Sequence, residues 1–469
     1  MAYTNFATIT FPAPSSGTLT NFTLVFKCSA AVFKTVANGG VIQNTATVNG
    51  QTVPTDLIVT TDLAHTSLCS WEVESYDVVN GIVYIWVLIP SYSAGLTLYL
   101  AFGNTIITTF QGGSLGSTWD TNYVGVYHLP NGTTLTANDS TSNANNGTNF
   151  SSTAAAGQID GGAGFVSASS QYQNYGTSPT LNPSSMTFSA WINAASFPNA
   201  YNSVISRERA DTGDYTFLVK SNGKLAIYVE DLNTLEVNYD GTGSHTLSAG
   251  TWYYVVFTFA PNSNLIGYVN ASQDGTAASS AFGLNAGQAV SALIGNSFYS
   301  GRFWDGSIDE VRISNTVRSA DWIATEYTNQ NSIPLVTLQY AFSEIITITD
   351  TIKRSITKGF SEVITITDIC KRAISIKLNE TITLIDILKR SLTIKFTEIF
   401  TIFETFSNSA PIKIVFNEVI NLVDSIKWST PWDYIRGFLS DPLIITGITS
   451  PTENQTPNSE DLDYFKKYL

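Results

Sequence analysis

The chain has 469 residues, of which 43% are hydrophobic, 12% aromatic and 13% charged. At ~100–200 residues per domain this length predicts three or four units, each able to bury its own core. Lys and Arg number 23 against 37 Asp and Glu, and the net charge of −14 disfavours contact with nucleic acid or anionic lipid. Three cysteines are too few for a disulfide framework or a Cys-rich metal site.

Residues 1–110 predict an N-terminal β-sandwich. β-Branched and aromatic runs at 22–26 and 82–89 are separated by Gly, Asn, Pro and Ser. The start of the chain has no basic and apolar leader, so we expect no export signal. The most apolar stretch, 81–90, is far shorter than the ~20 residues that span a bilayer, so no membrane insertion is expected. The succession of Trp-Glu-Val-Glu, Ile-Trp-Val-Leu-Ile-Pro and Leu-Ala-Phe-Gly-Asn resembles an uncharacterised β-domain that commonly precedes laminin-G-like modules.

Residues 111–119 are rich in Gly and Ser and predict a mobile linker. After it, residues 120–333 carry Phe-Ser-Ala-Trp-Ile, Gly-Thr-Trp-Tyr-Tyr-Val-Val-Phe-Thr and Asp-Gly-Ser-Ile-Asp-Glu-Val-Arg-Ile in that order. This order resembles the concanavalin A-like, laminin-G-like jelly roll. Members of that family often close with a short helix, for which Ser319 is the expected N-cap. The spacing of Trp322, Ile323 and Tyr327 predicts that this helix docks on the sandwich.

Residues 340–428 are predicted to contain five β-repeats. A Phe or Leu two positions before Glu recurs at Phe342, Phe360, Leu378, Phe396 and Phe416, at steps of 18 residues and finally 20. Period-2 apolar alternation predicts two short strands per repeat, which need neighbouring repeats or chains to stack upon. An elongated β-stalk is expected, wound as a single-chain solenoid, a meander of hairpins or a shaft of several chains.

The tail, residues 429–469, ends in a segment with acids at its start and lysines at its end. Leu462, Phe465 and Leu469 fall on one helical stripe, which predicts a short C-terminal helix. So short a helix is marginal alone. We therefore expect either docking on another protein or a frayed tail.

Catalysis is not expected. Glycoside cleavage needs two carboxylates flanking a sugar. Glu72 and Glu74 share one strand face, but they lie outside the jelly roll, while the adjacent Asp309 and Glu310 should point to opposite faces. The three histidines lie in no nucleophile or metal motif. For His128, after an apolar strand, a hydrogen-bonded structural role is expected.

Calcium is the most credible cofactor, because the loop 138–147 is dense in oxygen ligands. The loop resembles a laminin-G-like loop that binds calcium in some members of the family. Asp139 would be the charged ligand, Asn143 and Asn145 neutral ones, and Asp309 could complete the site. An ordinary Asn- and Ser-rich turn is the alternative.

Sugar recognition uses aromatic faces together with amide and hydroxyl groups. Candidate ligand-binding residues lie in predicted loops of the jelly roll, and they are Tyr299, Trp304, Asp305, Tyr175, Tyr201 and Asn202. Trp191 and Trp252 lie in predicted strands and are expected in the core.

Together these features predict an all-β, non-enzymatic virion protein, such as a phage fibre, tail appendage or head decoration. A lectin-like domain would bind a host surface glycan, the C-terminal segment would bind other virion proteins, and the chain would form a homo-oligomer, for which a trimer is one option. A purely structural virion protein is the first alternative and a polysaccharide hydrolase the distant one. A cell-surface or extracellular location is the alternative to the virion.

Overall fold

The computed structural model of the chain describes residues 3–130, 135–209, 212–230, 236–278, 289–299 and 301–339, with nine short strands between 347 and 422. The chain divides into two compact units, Met1–Gln339 and Tyr340–Leu469. The described part is mostly β-structure in several sheets, which confirms the predicted fold class. None of its helices is long and apolar enough to cross a membrane.

The first eight strands of the chain lie in the N-terminal sandwich. Their bounds are β1 Asn5–Thr10, β2 Leu19–Ser29, β3 Thr45–Val48, β4 Gln51–Pro54, β5 Leu57–Thr60, β6 Trp71–Asp77, β7 Ile82–Tyr92 and β8 Thr97–Phe102. Strands β1, β8 and β5 are neighbours in one sheet, β2, β7 and β6 form a second, and β3 pairs with β4. The predicted runs at 22–26 and 82–89 lie inside β2 and β7. All five residues 22–26 are buried, so this part of β2 is covered on both faces.

The jelly roll follows with fifteen strands. Their bounds are β9 Tyr123–Tyr127, β10 Thr148–Phe150, β11 Thr153–Ala156, β12 Gly161–Phe165, β13 Tyr172–Asn174, β14 Met186–Ala194, β15 Tyr201–Arg209, β16 Thr212–Lys220, β17 Leu225–Glu230, β18 Glu236–Asp240, β19 Tyr253–Phe259, β20 Asn264–Val269, β21 Ser272–Ala278, β22 Leu293–Ile294 and β23 Gly306–Ser314.

The fifteen strands form two facing sheets. One has the order β10-β13-β22-β15-β16-β17-β18, and the other has the order β11-β12-β23-β14-β19-β20-β21 with β9 beside β23. Between them Phe217 lies within 6 Å of both Phe188 and Phe257, at 5.6 and 5.9 Å between ring centroids. Trp191 is buried as predicted, whereas Trp252 precedes β19 and is half-buried.

The helix α1, Ala320–Asn331, is the α-helix of the described residues. Ser319 caps it, since its hydroxyl accepts a hydrogen bond from the backbone N–H of Trp322 at 3.1 Å. The predicted N-cap is therefore confirmed. This bond satisfies one of the N–H groups that a helix start leaves without a partner.

The helix docks on both sandwiches. Tyr327 stacks on Trp191 of the jelly roll at 5.8 Å, and Ile323 packs in the same apolar cluster. Trp322 instead contacts Phe22 on β2 of the N-terminal sandwich, at 4.7 Å between ring centroids. The sequence predicted docking on one sandwich, and the structure places the helix against two.

The helix and the segment after it also cover the edge of β2. The Asn329 amide pairs with the backbone of Val25, accepting from its N–H at 2.7 Å and donating to its carbonyl at 2.9 Å. Two residues on, Lys27 donates to the Pro334 carbonyl and accepts from the Val336 N–H, both at 2.9 Å. An open strand edge invites pairing with other chains, and these contacts close this one.

The predicted boundaries around 110 need correction. Strand β24, Thr337–Gln339, returns to pair with β1, so the N-terminal sandwich is completed by residues beyond the jelly roll. The predicted mobile linker 111–119 is packed, because Trp119 is 5% exposed and its indole N–H donates to Glu72 at 2.7 Å. The two sandwiches thus belong to one unit.

The second unit contains the repeats. Their strands are β25 Thr347–Ile348, β26 Ile356–Phe360, β27 Ile364–Ile366, β28 Ile374–Leu378, β29 Ile382–Leu384, β30 Leu392–Phe396, β31 Phe400–Ile402, β32 Lys413–Val415 and β33 Ile420–Leu422. They pair in parallel in two sheets, odd-numbered strands in one and even-numbered strands in the other.

The register of these sheets follows the sequence repeat. Thr347 pairs with Thr365, an 18-residue step, and Phe400 pairs with Ile420, a 20-residue step. Parallel pairing of each repeat on the next is the pattern of a solenoid, since a meander of hairpins would pair antiparallel strands. The stalk and its oligomeric state stay predictions. The tail 429–469 with its helix lies outside the described residues.

Candidate functional site

A row of aromatic and cationic side chains lies on the seven-stranded sheet and its neighbouring loop. The Arg302 guanidinium lies 5.1 Å from the ring centre of Tyr201 and 4.5 Å from that of Tyr299. Phe298 contacts Tyr299 edge-on at 5.5 Å. Because Tyr201 opens β15, the rigid sheet fixes one end of this stack, while the 297–306 loop supplies the rest.

Tyr201 is also held from its other side. Its hydroxyl donates to Asp240 at 3.2 Å and accepts from Tyr228 at 3.3 Å. Lys220 lies 5.4 Å from the same ring and pairs with Asp240 at 2.8 Å. Burial opposes ionisation of Asp240, but Lys220 outweighs it and keeps the pKa of this carboxyl below its ordinary value. Strands β15 to β18 are consecutive in the sheet, which brings these groups together.

We call Tyr201, Tyr228, Phe298, Tyr299 and Arg302 the tyrosine-arginine patch. Phe298 is 53% exposed and Tyr299 is 42% exposed. The patch offers ring faces for the C–H surface of a sugar, and the adjoining Lys220 and Asp240 offer a donor and an acceptor for its hydroxyls.

The structure brings Tyr201 and Tyr299 together but not the other predicted ligand residues. Trp304 is 1% exposed and packs in the jelly-roll core, so it cannot stack on a sugar. Tyr175 is 3% exposed and lies 4.0 Å from the ring of Tyr127. Both were expected in open loops, and burial of their rings corrects that expectation.

The two polar candidates hold the loops in place. Asn202 is buried, and its amide donates to the carbonyls of Asn199 and Val219, both at 3.0 Å. Asp305 accepts from the Ser167 N–H at 3.2 Å and from the Ser196 hydroxyl at 2.7 Å. Both side chains therefore shape the surface from beneath or beside it.

Sequence reasoning missed Phe298, Arg302 and Tyr228. Phe298 and Arg302 lie in the same loop as Tyr299, so a count of every aromatic and cationic residue there would have found them. Tyr228 is brought in by the pairing of β17 with β16, opposite Thr216. No local sequence signal marks that placement.

The predicted calcium loop is a hydrogen-bonded turn around Asp139. One carboxylate oxygen accepts from the N–H groups of Val126 and Thr141, and the other from the Thr141 hydroxyl and the Asn145 N–H, at 2.9 to 3.1 Å. Asn143 and Asn145 turn their amide nitrogens toward the Val124 carbonyl. The donors occupy both oxygens of Asp139, so these residues do not fit a calcium ion without rearrangement, and calcium stays a prediction.

Asp309 accepts bonds from a different segment. Its carboxylate accepts from the N–H groups of Gln158 and Ile159 at 2.8 and 2.9 Å. The expectation that Asp309 and Glu310 point to opposite faces is wrong. A β-bulge with Glu310 at φ 52° breaks the alternation, so both carboxylates leave the core face that Ile308 and Val311 occupy.

A second constellation, the junction cluster, consists of Glu72, Glu74, His128, Glu310 and Arg312. His128 is 2.6 Å from Glu310 through Nδ1 and 2.9 Å from Glu72 through Nε2. Glu74 approaches the imidazole at 4.0 Å. Glu72 and Glu74 therefore do share a strand face, and His128 has the predicted hydrogen-bonded role. Because Glu72 and Glu74 lie on β6 and Glu310 and Arg312 on β23, the cluster joins the two sandwiches.

Charge balance sets the protonation of this cluster. Burial alone would lower the pKa of His128, but the carboxylates of Glu310 and Glu72 raise it to about 9. Burial and the nearby Glu310 charge raise the pKa of Glu74 well above its usual range. The Arg312 guanidinium contacts the neighbouring rings of Trp86 and Trp119, at 4.4 and 5.0 Å from their centres. A guanidinium held by rings and carboxylates stabilises the junction.

The junction cluster has no room for a sugar. The cavity beside Glu72, Glu74 and His128 measures about 30 Å³, which suits one water molecule. Ligand pockets are typically ~300–1,000 Å³. A larger groove of about 470 Å³ lies elsewhere on the unit, lined largely by hydroxyl and amide side chains such as Thr141, Asn143 and Asn315.

The jelly roll contains a domain of the concanavalin A-like fold. Residues 166–324 match the family described as the concanavalin A-like lectin/glucanases superfamily, which confirms the resemblance seen in the sequence for that stretch. No curated protein matches the chain. The resemblance of the N-terminal residues to a preceding β-domain stays a prediction.

Three solved structures illustrate the likeness. The binding domain of Paraclostridial Mosquitocidal Protein 1 is 11% identical, with a TM-score of 0.37 over 44% of this chain and 52% of that chain. Domain 4 of AbnA, an extracellular arabinanase from Geobacillus stearothermophilus, in complex with arabinotriose, is 15% identical and has a TM-score of 0.36. The match covers 43% of this chain and 97% of that chain. The receptor binding domain of botulinum neurotoxin mosaic serotype C/D is 15% identical and has a TM-score of 0.35. The match covers 45% of this chain and 51% of that chain. The chain spans about half the length of the mosquitocidal and neurotoxin structures, and all three likenesses concern the fold.

Proposed function

We propose that the chain is a non-enzymatic carbohydrate-binding protein that contacts its glycan through the tyrosine-arginine patch. The observation that carries this proposal is the exposed Tyr299 ring, with Arg302 stacked between it and Tyr201. Tyr201 is fixed on the sheet and Arg302 connects the loop ring of Tyr299 to it, so these rings lose little entropy on binding. Their presence on a concanavalin A-like domain supports sugar binding over a purely structural role.

The patch favours a neutral glycan. Lys220 is paired with Asp240 at 2.8 Å, and Arg302 lies 3.5 Å from Glu208, so the local charges are balanced. Stacking on one tyrosine contributes about 1 kcal/mol, and single-site affinity should therefore be weak. A homo-oligomer, such as the predicted trimer, would raise it through avidity.

Binding of the full chain to a glycan array tests the proposal. Tyr299→Ala and Arg302→Ala are each expected to weaken binding roughly five-fold. Phe150→Ala is the matched control, because Phe150 is 41% exposed on the edge strand β10 of the same sheet. Binding that survives both patch substitutions would place the glycan elsewhere, with the polar groove around Asn315 as the next location to test.

We further propose that the chain displays this domain on a virion, with a host surface glycan as partner. Support comes from the 18-residue repeats, which would hold a binding domain away from a particle surface. Deleting residues 459–469 is expected to abolish incorporation into the particle without unfolding residues 1–332. Normal incorporation would refute the docking role of the tail.

The alternatives predict different measurements. A purely structural virion protein would bind no glycan on the array, and a hydrolase would release reducing ends from a polysaccharide. Array binding with and without added CaCl₂ tests the calcium prediction. Turnover that disappears when one carboxylate is neutralised would contradict the non-enzymatic proposal.

A further inference from the structure

Three potential metal ligands converge at the junction of the two sandwiches. Glu74 on β6, His128 after β9 and Glu310 on β23 each offer one ligand atom, and these atoms all lie within 4.8 Å of one another. All three side chains are buried. Glu74 and Glu310 lie on strands, and His128 directly follows the last residue of β9, so all three are positioned by the sheets.

One of these carboxylates has an oxygen without a partner. Glu74 is 0% exposed, and its Oε2 accepts from the Trp86 indole at 2.8 Å. Its Oε1 has no hydrogen-bond partner among the described residues. Glu74 also lines the cavity of about 30 Å³ beside His128. A buried carboxylate oxygen without a partner is costly, which points to a bound species in that cavity.

Two of the three potential ligands are oriented by a second hydrogen-bonding group, as ligands in metal sites usually are. Nε2 of His128 lies 2.9 Å from Glu72, which leaves Nδ1 on the side of Glu74 and Glu310. The second oxygen of Glu310 is fixed by Arg312 at 2.6 Å. A carboxylate behind a histidine orients the ring and raises its basicity toward a metal.

A second carboxyl oxygen near the junction also lacks a partner. Asp309 precedes Glu310 on β23 and is buried. Oδ1 of Asp309, like Oε1 of Glu74, has no partner among the described residues. Buried polar atoms without partners are rare in native proteins, so two such oxygens on adjoining groups support a bound ion.

We propose that Glu74, His128 and Glu310 bind one divalent zinc-type ion that links the N-terminal sandwich to the jelly roll. Ligand atoms around a tetrahedral Zn²⁺ lie ~3.3 Å apart. Nδ1 of His128 is 2.6 Å from Glu310 and 4.0 Å from Glu74, so small shifts in opposite directions suffice. The ion replaces the proton between His128 and Glu310, which is released to solvent, and a water in the cavity takes the fourth position. One imidazole with two carboxylates suits Zn²⁺, whereas Ca²⁺ takes oxygen ligands.

Calorimetric titration of ZnCl₂ into the full chain, prepared without a histidine tag and stripped with a chelator, tests the site. One Zn²⁺ per chain is expected, with a melting temperature that rises with ZnCl₂ and not with CaCl₂. Glu74→Gln keeps the shape of the side chain and should weaken Zn²⁺ binding at least ~10-fold, since even outer-shell partners contribute ~10–100-fold. His128→Gln should do the same.

His245→Gln is the matched control, because His245 also pairs with a carboxylate, Asp274, at 2.8 Å. It should leave Zn²⁺ binding unchanged. Absence of stoichiometric binding, unchanged affinity in a folded Glu74→Gln chain, or equal loss in His245→Gln would each overturn the proposal. Glycan binding is not part of this readout, so the two proposals fail independently.

Discussion

Substitution of Asn329 directly tests whether α1 holds the N-terminal sandwich through the edge of β2. Its buried amide makes both backbone hydrogen bonds of Val25, at 2.7 and 2.9 Å. Asn329→Ala leaves an N–H and a carbonyl of β2 without partners, at about 1–3 kcal/mol each. We expect the free energy of unfolding to fall by about 2–6 kcal/mol, with water entry giving the lower end. Urea denaturation of the full chain, followed by tryptophan fluorescence, measures it.

Asn331→Ala is the control, since Asn331 is exposed near the end of the same helix. Both substitutions replace Asn by Ala in the same helix, and a helix-propensity difference is below about 1 kcal/mol, so a larger difference reports the contacts with Val25. Asn331→Ala should change stability by less than about 0.5 kcal/mol. Equal effects of the two substitutions would refute the view that α1 secures the edge of β2.

Ser319→Ala should lower the free energy of unfolding by about 1 kcal/mol through loss of the helix cap, and Ser319→Asp should restore it; a melt unchanged by alanine would contradict this. Burial raises the pKa of Asp214 to about 7 despite its partner Arg207, so the folded chain holds a proton that the unfolded chain releases above its ordinary pKa of 3.8. The proton on Asp214 therefore contributes its full stabilisation below pH 3.8, and this contribution is lost as the pH rises through about 7. The urea midpoint should fall over the same pH range, and Asp214→Asn should make it less dependent on pH. Burial raises the pKa of Cys69 to about 11 and that of Cys28 further, so neither thiol should react with a thiol reagent at pH 8 until the chain is denatured, and native labelling of either, read by mass spectrometry, would refute it.

Local patterns predicted the elements that depend on local physics. The apolar run at 82–89 lies in β7, and Ser319 caps α1, because strand alternation and N-capping involve neighbouring residues. The 18-residue step of the repeats reappears as the register of the parallel sheets, for example Ile356 opposite Ile374. A repeated sequence places equivalent residues opposite each other wherever repeats stack in phase.

The candidate site was predicted less well because exposure depends on tertiary packing. Trp304 and Tyr299 lie in one predicted loop, yet the first is 1% exposed and the second 42%. Trp304 lies two residues before β23, and its side chain packs in the core beside Phe197. Composition of a loop does not indicate which of its rings turns inward.

The junction cluster lay beyond sequence reasoning for two physical reasons. Its members come from distant parts of the chain, and the bulge at Glu310 overrides the alternation that a strand pattern assumes. Once the contacts are known, the sandwiches cannot be treated as separable modules. Removing the first would leave His128 without Glu72 and Arg312 without the Trp86 ring. The remaining ion pairs with Glu310 and Glu326 would be exposed to water and weakened, so the stability of the jelly roll depends on the sandwich that precedes it.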